Sequence, residues 1–247
     1  MHEQIQYRCH HATPMEAAAL PPDAHYPHRP LRFRPLLPTD RERVEQLHEA
    51  WFPVRYEAAW YETTLNCGAG HDPYYTMAAV EDGAEDACAP GRVVALITAH
   101  LLPASAVDES DEVVAFSFWD AELAYILTLG VDNAYRQRGI ATQLLAALRA
   151  HIDALHRSCR ALYLHTLSDN VSALAFYRSQ GFERVARKQD FYSFSGAKHD
   201  AVVLAAYMNG GAAPSGALAP LWQLMAVASS RLSRWLGRGE AVGWGEQ

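Results

Sequence analysis

Apolar and polar positions repeat from Leu31 onward with the periods of strands and helices. Alternating or continuous apolar runs predict seven strands, at residues 31–34, 75–80, 92–101, 123–131, 161–166, 182–194 and 201–208. Apolar residues three and four positions apart predict four helices, at residues 41–51, 56–65, 140–156 and 172–180. Asp40 is predicted to cap the first helix, and Gly181 to end the last. The strand, helix and strand between 123 and 166 predict a βαβ unit, so the fold is predicted to be α/β with a mixed sheet.

The two ends of the chain differ from this middle region. Residues 1–30 are rich in histidine and proline and show neither period, which predicts a flexible leader before a globular domain at 31–211. Residues 212–247 carry apolar residues at helical spacing, with arginines on the other side: Leu218, Leu221, Trp222, Met225, Leu232, Trp235 and Leu236 against Arg231, Arg234 and Arg238. This pattern predicts an amphipathic helix in a membrane interface; the alternative is a helix docked on its own domain or on a partner.

Charge and cysteine usage narrow the classes of function. The net charge is −7, so the sequence has no basic footprint for DNA or RNA, and no nucleic-acid partner is predicted. The four cysteines lack CxxC spacing, which indicates free thiols in a reducing compartment. The leader's histidines lie on a proline-rich backbone without fixed geometry, so no metal site is predicted. The acidic stretches near Glu85 and Asp108 are predicted to be solvated.

A glycine-containing turn, Arg136-Gln137-Arg138-Gly139-Ile140-Ala141, joins a predicted strand to a predicted helix. Unpaired N–H groups at the helix start, the small residues Gly139 and Ala141 and two arginines together favour a phosphate ligand. The alternative is a loop with solvated arginines. The glycine spacing is neither that of a dinucleotide fingerprint nor that of a P-loop, which excludes those two nucleotide-binding classes.

Strand alternation gives a second candidate site. Tyr125, Leu127 and Leu129 are predicted to face one side of their strand, and Tyr163 and His165 one side of the next strand along the βαβ unit. Tyr125 and His165 would share a cavity if the two strands are neighbours. The alternatives are a hydrogen-bonded core histidine and a packing tyrosine.

The turn resembles the Arg/Gln-x-x-Gly-x-Gly/Ala pyrophosphate loop of the GNAT acetyltransferases, and the resemblance extends in element order from Leu31 to Met208. Five further segments resemble the protein N-terminal acetyltransferases of that superfamily: Trp51–Tyr56, Ala124–Val131, Tyr163–His165, Asn170–Tyr177 and Gln189–Ser193. Met208-Asn209-Gly210-Gly211 and the amphipathic C-terminal segment are similar to the end of catalytic subunits of the NatF type.

The resemblance implies the GNAT fold, in which a mixed, mostly antiparallel central sheet is splayed between its two central strands and flanked by helices. It implies acetyl-CoA as cosubstrate and no metal. The residues that it assigns to acetyl-CoA are Leu129, Gly130, Val131, Gln137, Arg138, Gly139, Ile140, Ala141, Thr142, Asn170, Tyr177, Arg178, Ser179 and Gln180. Tyr177 is further implied as a proton donor to the departing thiolate.

By the same resemblance, Tyr125 and His165 are the catalytic pair, which takes a proton from the substrate's α-ammonium through an ordered water. An α-amine with a pKa of about 8 needs only modest help from a histidine, and the tyrosine chiefly orients the water. The acceptor site is implied at Phe52, Val54, Tyr56, Leu127, Phe191 and Tyr192. Arg55 stands where NatF-type relatives usually carry a glutamate, which reduces or reverses an attraction for lysine at the second substrate position.

The sequence therefore predicts an acetyltransferase acting on the N-termini of proteins that retain methionine, without an obligatory auxiliary subunit. The C-terminal helix is expected to attach the enzyme to the cytosolic face of a membrane, and the Golgi is the favoured compartment. Two alternatives remain: transfer to a lysine side chain, for example on a histone, and a catalytically silent acetyl-CoA-binding scaffold. A lysine acceptor demands a stronger base, because its pKa is about 10.4.

Overall fold

The computed structural model describes residues 30–54, 56–66, 73–82, 91–108, 111, 113–114 and 121–213. The strands are β1 (Leu31–Arg34), β2 (Tyr74–Glu81), β3 (Arg92–Pro103), β4 (Glu122–Val131), β5 (Cys159–Leu167), β6 (Glu183–Phe194) and β7 (Ala197–Tyr207). The helices are α1 (Arg41–Trp51), α2 (Ala58–Asn66), α3 (Ile140–Leu155) and α4 (Val171–Ser179). Each predicted helix and strand is confirmed, although β7 begins four residues before its predicted start at 201.

The seven strands form one sheet in the order β1-β2-β3-β4-β5-β7-β6. Only β4 and β5 pair in parallel, and α3 connects them, as the predicted βαβ unit requires. All other neighbours are antiparallel. The predicted mixed, mostly antiparallel sheet is confirmed.

The parallel junction of β4 and β5 is short. It consists of four residue pairs and ends at Tyr125 opposite Tyr163. Beyond that point β4 pairs with β3 only, and β5 pairs with β7 only, as at His165 opposite Val203. The two central strands therefore diverge toward their carboxyl ends, which confirms the predicted splay.

Helices cover both faces of the sheet. On one face α3 buries Leu144, Leu145, Leu148 and Ile152, each at most 1% exposed. On the other face α1 and α2 pack residues such as Leu47 against the sheet. Alternate residues of β2 divide between these layers, because Ala79 joins the α3 cluster and Ala78 joins the α1 cluster. Each fully buried aliphatic side chain contributes about 1.5–3 kcal/mol, so both layers stabilise the sheet.

A β-bulge changes the face that β4 presents along its length. Thr128 pairs with Thr98 and Ile126 with Ala99, which leaves Leu127 as an extra residue. Beyond the bulge Leu129 packs against the α3 cluster, as Ile126 does before it. The prediction that Leu129 shares a face with Tyr125 is therefore wrong, because one inserted residue reverses the alternation.

The side chain of Asp40 does not cap α1, contrary to the prediction. Its two carboxylate oxygens accept hydrogen bonds from the Arg34 guanidinium at 2.6 and 2.9 Å, and one also accepts the N–H of Leu37. The ion pair is nearly buried and joins β1 to the start of α1. Gly181 does end α4 as predicted, since it takes a φ of 80° and its N–H donates to Arg178 O.

The predicted leader, apart from Pro30, and the predicted amphipathic helix lie outside the described residues. Within the described part of the chain, no helix combines the length and the apolar character needed to cross a membrane.

Candidate active site

Tyr125 and His165 meet where β4 and β5 begin to diverge. Their ring centroids lie 5.6 Å apart with the planes at 78°. The Tyr163 ring lies 4.9 Å from that of Tyr125, and so completes one aromatic wall. Strand alternation thus places both predicted catalytic side chains at one point on the face that carries α1 and α2.

A buried carboxylate binds the histidine. The Oδ1 atom of Asp111 lies 3.3 Å from His165 Nε2 and 2.7 Å from Lys188 Nζ. The three side chains are 7%, 6% and 14% exposed, respectively. The predicted solvation of the acidic stretch around Asp108 is therefore wrong for Asp111. The available signal was the apolar pair Val113–Val114 directly after it, of which Val113 is buried.

The two ring nitrogens of His165 have different surroundings. Nε2 faces the carboxylate, whereas Nδ1 is buried and has no hydrogen-bond partner among the described residues. A carboxylate on one nitrogen fixes the orientation of an imidazole and leaves the other nitrogen to exchange a proton. An imidazole held in this way can act as a general base where a substrate or a water reaches Nδ1.

We expect Asp111→Asn to lower kcat about tenfold, less than the removal of His165 itself, because an amide holds the imidazole without stabilising its positive charge. Steady-state acetyl transfer over a range of pH measures the effect. Asp108→Asn is the matched control, since the Asp108 side chain is 66% exposed and lies 3.7 Å from the same Lys188 amine. Equal losses in both variants would show that general charge near the site, and not the contact with His165, is responsible.

Phe191 and Tyr192, two predicted acceptor residues, line the same place from β6. The Phe191 ring stacks on the His165 ring at 4.3 Å with 2° between the planes, although Phe191 is 42% exposed. The Tyr192 ring meets Phe191 edge to face at 4.9 Å. The β6–β7 hairpin therefore covers the histidine with an apolar side chain.

The segment after α1 supplies the other predicted acceptor residues. Phe52 and Tyr56 belong to a cluster of aromatic rings around His48, with centroids 5.1 to 6.4 Å from its own: Trp51, Phe52, Tyr56, Trp60 and Tyr61. Val54 is half-buried, Leu127 forms the bulge of β4, and Arg55 lies outside the described residues. The cluster holds Phe52 and Tyr56 against α1 and α2.

Sequence reasoning missed His48. It is 1% exposed, and neither ring nitrogen has a hydrogen-bond partner among the described residues. Burial lowers its pKa from 6.5 to about 3, so the ring is neutral in the folded protein. Its position between Leu47 and the aromatic run from Trp51 was the available signal.

His48 predicts a loss of stability in acid. The unfolded chain binds a proton at this residue below about pH 6.5, whereas the folded protein resists protonation until about pH 3. Stability present above pH 6.5 is therefore lost as the pH falls, by about 2 kcal/mol between pH 6.5 and 5. Urea unfolding gives the free energy of unfolding at pH 7 and at pH 5. The difference between these two values should be smaller in His48→Leu than in the wild type by this amount. An unchanged difference would contradict the assignment.

The predicted pyrophosphate turn leads into α3. Gln137 and Gly139 take φ values of 59° and 72°, and the first helical residues, Ile140, Ala141 and Thr142, offer backbone N–H groups that no helical carbonyl can reach. The side chain of Ile140 is buried in the core, so this residue offers its backbone alone. Arg138 donates to Ala134 O at 2.8 Å and lies over the Tyr135 ring. This helix start fits the phosphates of a CoA ester.

Gly130 lies against α1. A Cβ atom there would stand 2.7 Å from Trp51 Cδ2 and closer still to Cε3, so only glycine fits beside the indole. Its neighbours Leu129 and Val131 pack against the α3 cluster. The predicted acetyl-CoA segment of β4 is thus in direct contact with the helix that precedes the acceptor segment.

The remaining predicted cofactor residues lie on α4. Asn170 caps the helix, since its Oδ1 accepts the N–H of Ala173. Tyr177 is buried, and burial raises the pKa of its hydroxyl, which stays protonated at neutral pH. Ser179 and Gln180 close the helix, and Arg178 lines a cleft of about 620 Å³ that shares no residue with the pyrophosphate turn.

The described residues contain no group of three or more histidine, cysteine, aspartate or glutamate side chains able to hold a metal ion. The donor set instead offers backbone N–H groups at α3, diverging strands and a base. A thioester carried on a phosphorylated cofactor fits this set.

The comparisons with known proteins agree with this geometry. A sequence profile described as "Acetyltransferase (GNAT) family" matches residues 41–182. The chain therefore belongs to the GNAT acetyltransferase family, whose members take the acetyl group from acetyl-CoA.

Among its relatives is N-alpha-acetyltransferase 60 of Xenopus tropicalis, 33% identical over 187 residues, which are 74% of this chain and 72% of that protein. The protein is thus a homologue of the NatF-type N-alpha-acetyltransferases. Histone acetyltransferase MCC1 of Arabidopsis thaliana is 32% identical over 76% of this chain and 74% of its own. Arabidopsis thaliana NAA60 in complex with a bisubstrate analogue superposes with a TM-score of 0.64 at 32% identity, covering 73% of this chain and 99% of that chain.

Proposed function

We propose that this enzyme transfers the acetyl group of acetyl-CoA to the α-amine of proteins that begin with methionine. One observation carries the proposal: His165, paired with Asp111 and stacked under Phe191, lies beside Tyr125 at the point where β4 and β5 separate. A base, an apolar wall and an opening between strands therefore meet within a few ångströms.

The residues divide the proton transfers. His165 takes the proton of the α-ammonium, through a water that the Tyr125 hydroxyl orients. The amide bond of the product forms as the thioester C–S bond breaks, and backbone N–H groups of the Leu129–Val131 segment that point away from β3 polarise the carbonyl oxygen. The Tyr177 hydroxyl donates a proton to the departing sulfur, and the second proton that the nitrogen gives up as the amide forms returns to Tyr177, so CoA leaves as the thiol and the hydroxyl is restored.

The acceptor walls favour an N-terminal methionine. Phe52 and Tyr56 after α1 and Phe191 and Tyr192 on β6 offer aromatic faces, which attract the polarisable thioether of methionine. An α-amine with a pKa of about 8 is partly neutral at pH 7, whereas a lysine amine needs a stronger base. The complex of Arabidopsis thaliana NAA60 with a bisubstrate analogue supports a peptide N-terminus as the acceptor.

Peptides with free and blocked N-termini test the proposal. Free peptides beginning Met-Leu, Met-Lys and Met-Glu should release CoA, and fragmentation mass spectrometry should place the acetyl group on the α-nitrogen. Acetylation only of lysine, on a histone peptide with a blocked N-terminus, would support the lysine alternative that the relative MCC1 suggests. No transfer to any peptide, with acetyl-CoA still bound, would indicate a silent scaffold. The relative rates with the three free peptides also show which second residue is favoured by an enzyme that carries Arg55.

Membrane attachment is the second part of the proposal. We infer that the apolar and arginine-bearing sides of residues 212–247 bind the full-length enzyme to a cytosolic membrane face, with the Golgi as the expected compartment and proteins of that membrane as substrates. Full-length enzyme should sediment with vesicles containing phosphatidylserine. Trp222→Glu combined with Trp235→Glu should abolish this, whereas Arg184→Glu on β6 should not. Sedimentation of the double variant would refute this route.

A further inference from the structure

The strand pair β6–β7 contains an irregularity beside the active site. Lys188 pairs with Ala201 and Tyr192 with His199, so three residues of β6, Gln189 to Phe191, stand opposite the single residue Asp200. The central residue of the three, Asp190, takes a φ of 55°, which is uncommon for a residue with a side chain. A bulge of this size opens the ladder and needs other partners to hold it.

Asp200 supplies those partners. Its Oδ1 accepts the N–H of Asp190 at 3.0 Å, and its Oδ2 accepts two N–H groups of Arg187 at 3.1 and 2.6 Å. Its backbone oxygen accepts the N–H of Ser168 at 2.9 Å, directly after the end of β5. The N–H of Asp190 and the Arg187 guanidinium also lower the pKa of the carboxyl. One residue thus joins the bulge, the strand that carries it and the strand that carries His165.

The bulge determines where Phe191 lies. Phe191 is its last residue, and its ring stacks on the His165 imidazole at 4.3 Å. His165 itself stands three positions before Ser168 on the strand that Asp200 also holds. Asp200 therefore contacts both the bulge that carries Phe191 and the residue that follows the strand of His165, and it is itself bound to neither ring.

We propose that Asp200 is a positioning residue for the acceptor site, which holds the Gln189–Phe191 bulge so that Phe191 lies over His165 and closes one wall of the pocket. This role rests on the proposed function, since it concerns the acceptor side of the same site. Without the carboxylate, the hydrogen bond that stabilises the left-handed backbone of Asp190 is lost, and the bulge can relax to other conformations.

Kinetics of Asp200→Ala and Asp200→Asn provide the first test. We expect Asp200→Ala to raise the KM for Met-peptides about tenfold while the KM for acetyl-CoA stays unchanged, because Phe191 is misplaced and the donor site is not. Asp200→Asn keeps an oxygen for the Asp190 N–H, so it should recover much of the loss even if the alanine variant folds poorly. Lys198→Ala is the matched control on the same hairpin, where the amine lies 3.7 Å from the exposed Asp190 carboxylate.

A double-mutant cycle with Phe191→Ala decides whether Asp200 acts through Phe191. If it does, Asp200→Ala changes the peptide KM little once Phe191 is absent. Fully additive effects would overturn the proposal, as would equal changes in both substrate KM values.

A spectroscopic measurement separates this proposal from the proposed function. The stacked Phe191 ring shifts the proton resonances of the His165 imidazole, and these resonances in Asp200→Ala should move to their positions in Phe191→Ala. This outcome is expected whether or not any peptide is acetylated. If the resonances stay at their wild-type positions, Asp200 does not position Phe191.

Discussion

We expect His165→Ala to lower kcat for acetyl transfer to a free α-amine by about 10²- to 10⁴-fold, the range associated with a positioned general base. The ring lies beside Tyr125 at the divergence of β4 and β5, with a carboxylate on Nε2. The variant should still bind acetyl-CoA, because the pyrophosphate turn at α3 lies on other elements. Measurements of kcat together with acetyl-CoA affinity check both statements.

The matched control is His151→Ala. This histidine lies on α3, with its ring 4.8 Å from that of Tyr75, and takes no part in the site. Its loss should leave kcat nearly unchanged. If the two variants lose activity equally, or if His165→Ala remains fully active, His165 is not the base.

Gly130→Ala has the largest expected effect on stability, a loss of about 3 kcal/mol in the free energy of unfolding, at the upper end of overpacking costs. The new methyl group would overlap the Trp51 ring, which the sheet and α2 confine. Either the end of β4 or the last turn of α1 must move. Denaturant unfolding gives the stability, and the KM values of both substrates should rise because each binding segment is displaced.

Gly196→Ala separates crowding from other costs of replacing a glycine. Gly196 has a φ of 74° and no atom within 4 Å of an added Cβ, so its replacement meets backbone strain alone. This variant should lose less stability than Gly130→Ala and retain both KM values. In addition, Gly130→Ala should lose less stability in a Trp51→Leu background than beside the indole. Additive losses of the two substitutions would contradict a direct clash.

Local periodicity was sufficient to predict the elements of the fold. The α3 pattern predicted 140–156, and the helix spans Ile140–Leu155, because Leu144, Leu148 and Ile152 all face the sheet. The βαβ unit followed from strand, helix and strand in sequence, and it brought Tyr125 and His165 together once β4 and β5 were neighbours. These features depend on contacts that a period of 2 or 3.6 encodes.

Features that depend on partners distant in the sequence left no signal in the local periods of 2 and 3.6. The bulge residue Leu127 lies among other apolar residues of β4. The sequence therefore does not reveal that the bulge turns Leu129 to the opposite face. Asp111 meets His165 from 54 positions away and therefore looked like one more solvated acid. His48 is buried because five aromatic rings converge on it from α1, α2 and the segment between them. Tertiary packing, and not local preference, decides such positions.

The short parallel junction of β4 and β5 also affects how the domain comes apart. The sheet consists of one half formed by β1 to β4 and another formed by β5 to β7. A ladder of four residue pairs joins the two halves directly. We expect acetyl-CoA bound in the opening to bridge the two halves where they lack a common ladder. Each tenfold rise of acetyl-CoA above its dissociation constant then adds about 1.4 kcal/mol to the work of unfolding. We therefore expect the free energy of unfolding of this enzyme to rise with the concentration of acetyl-CoA around it.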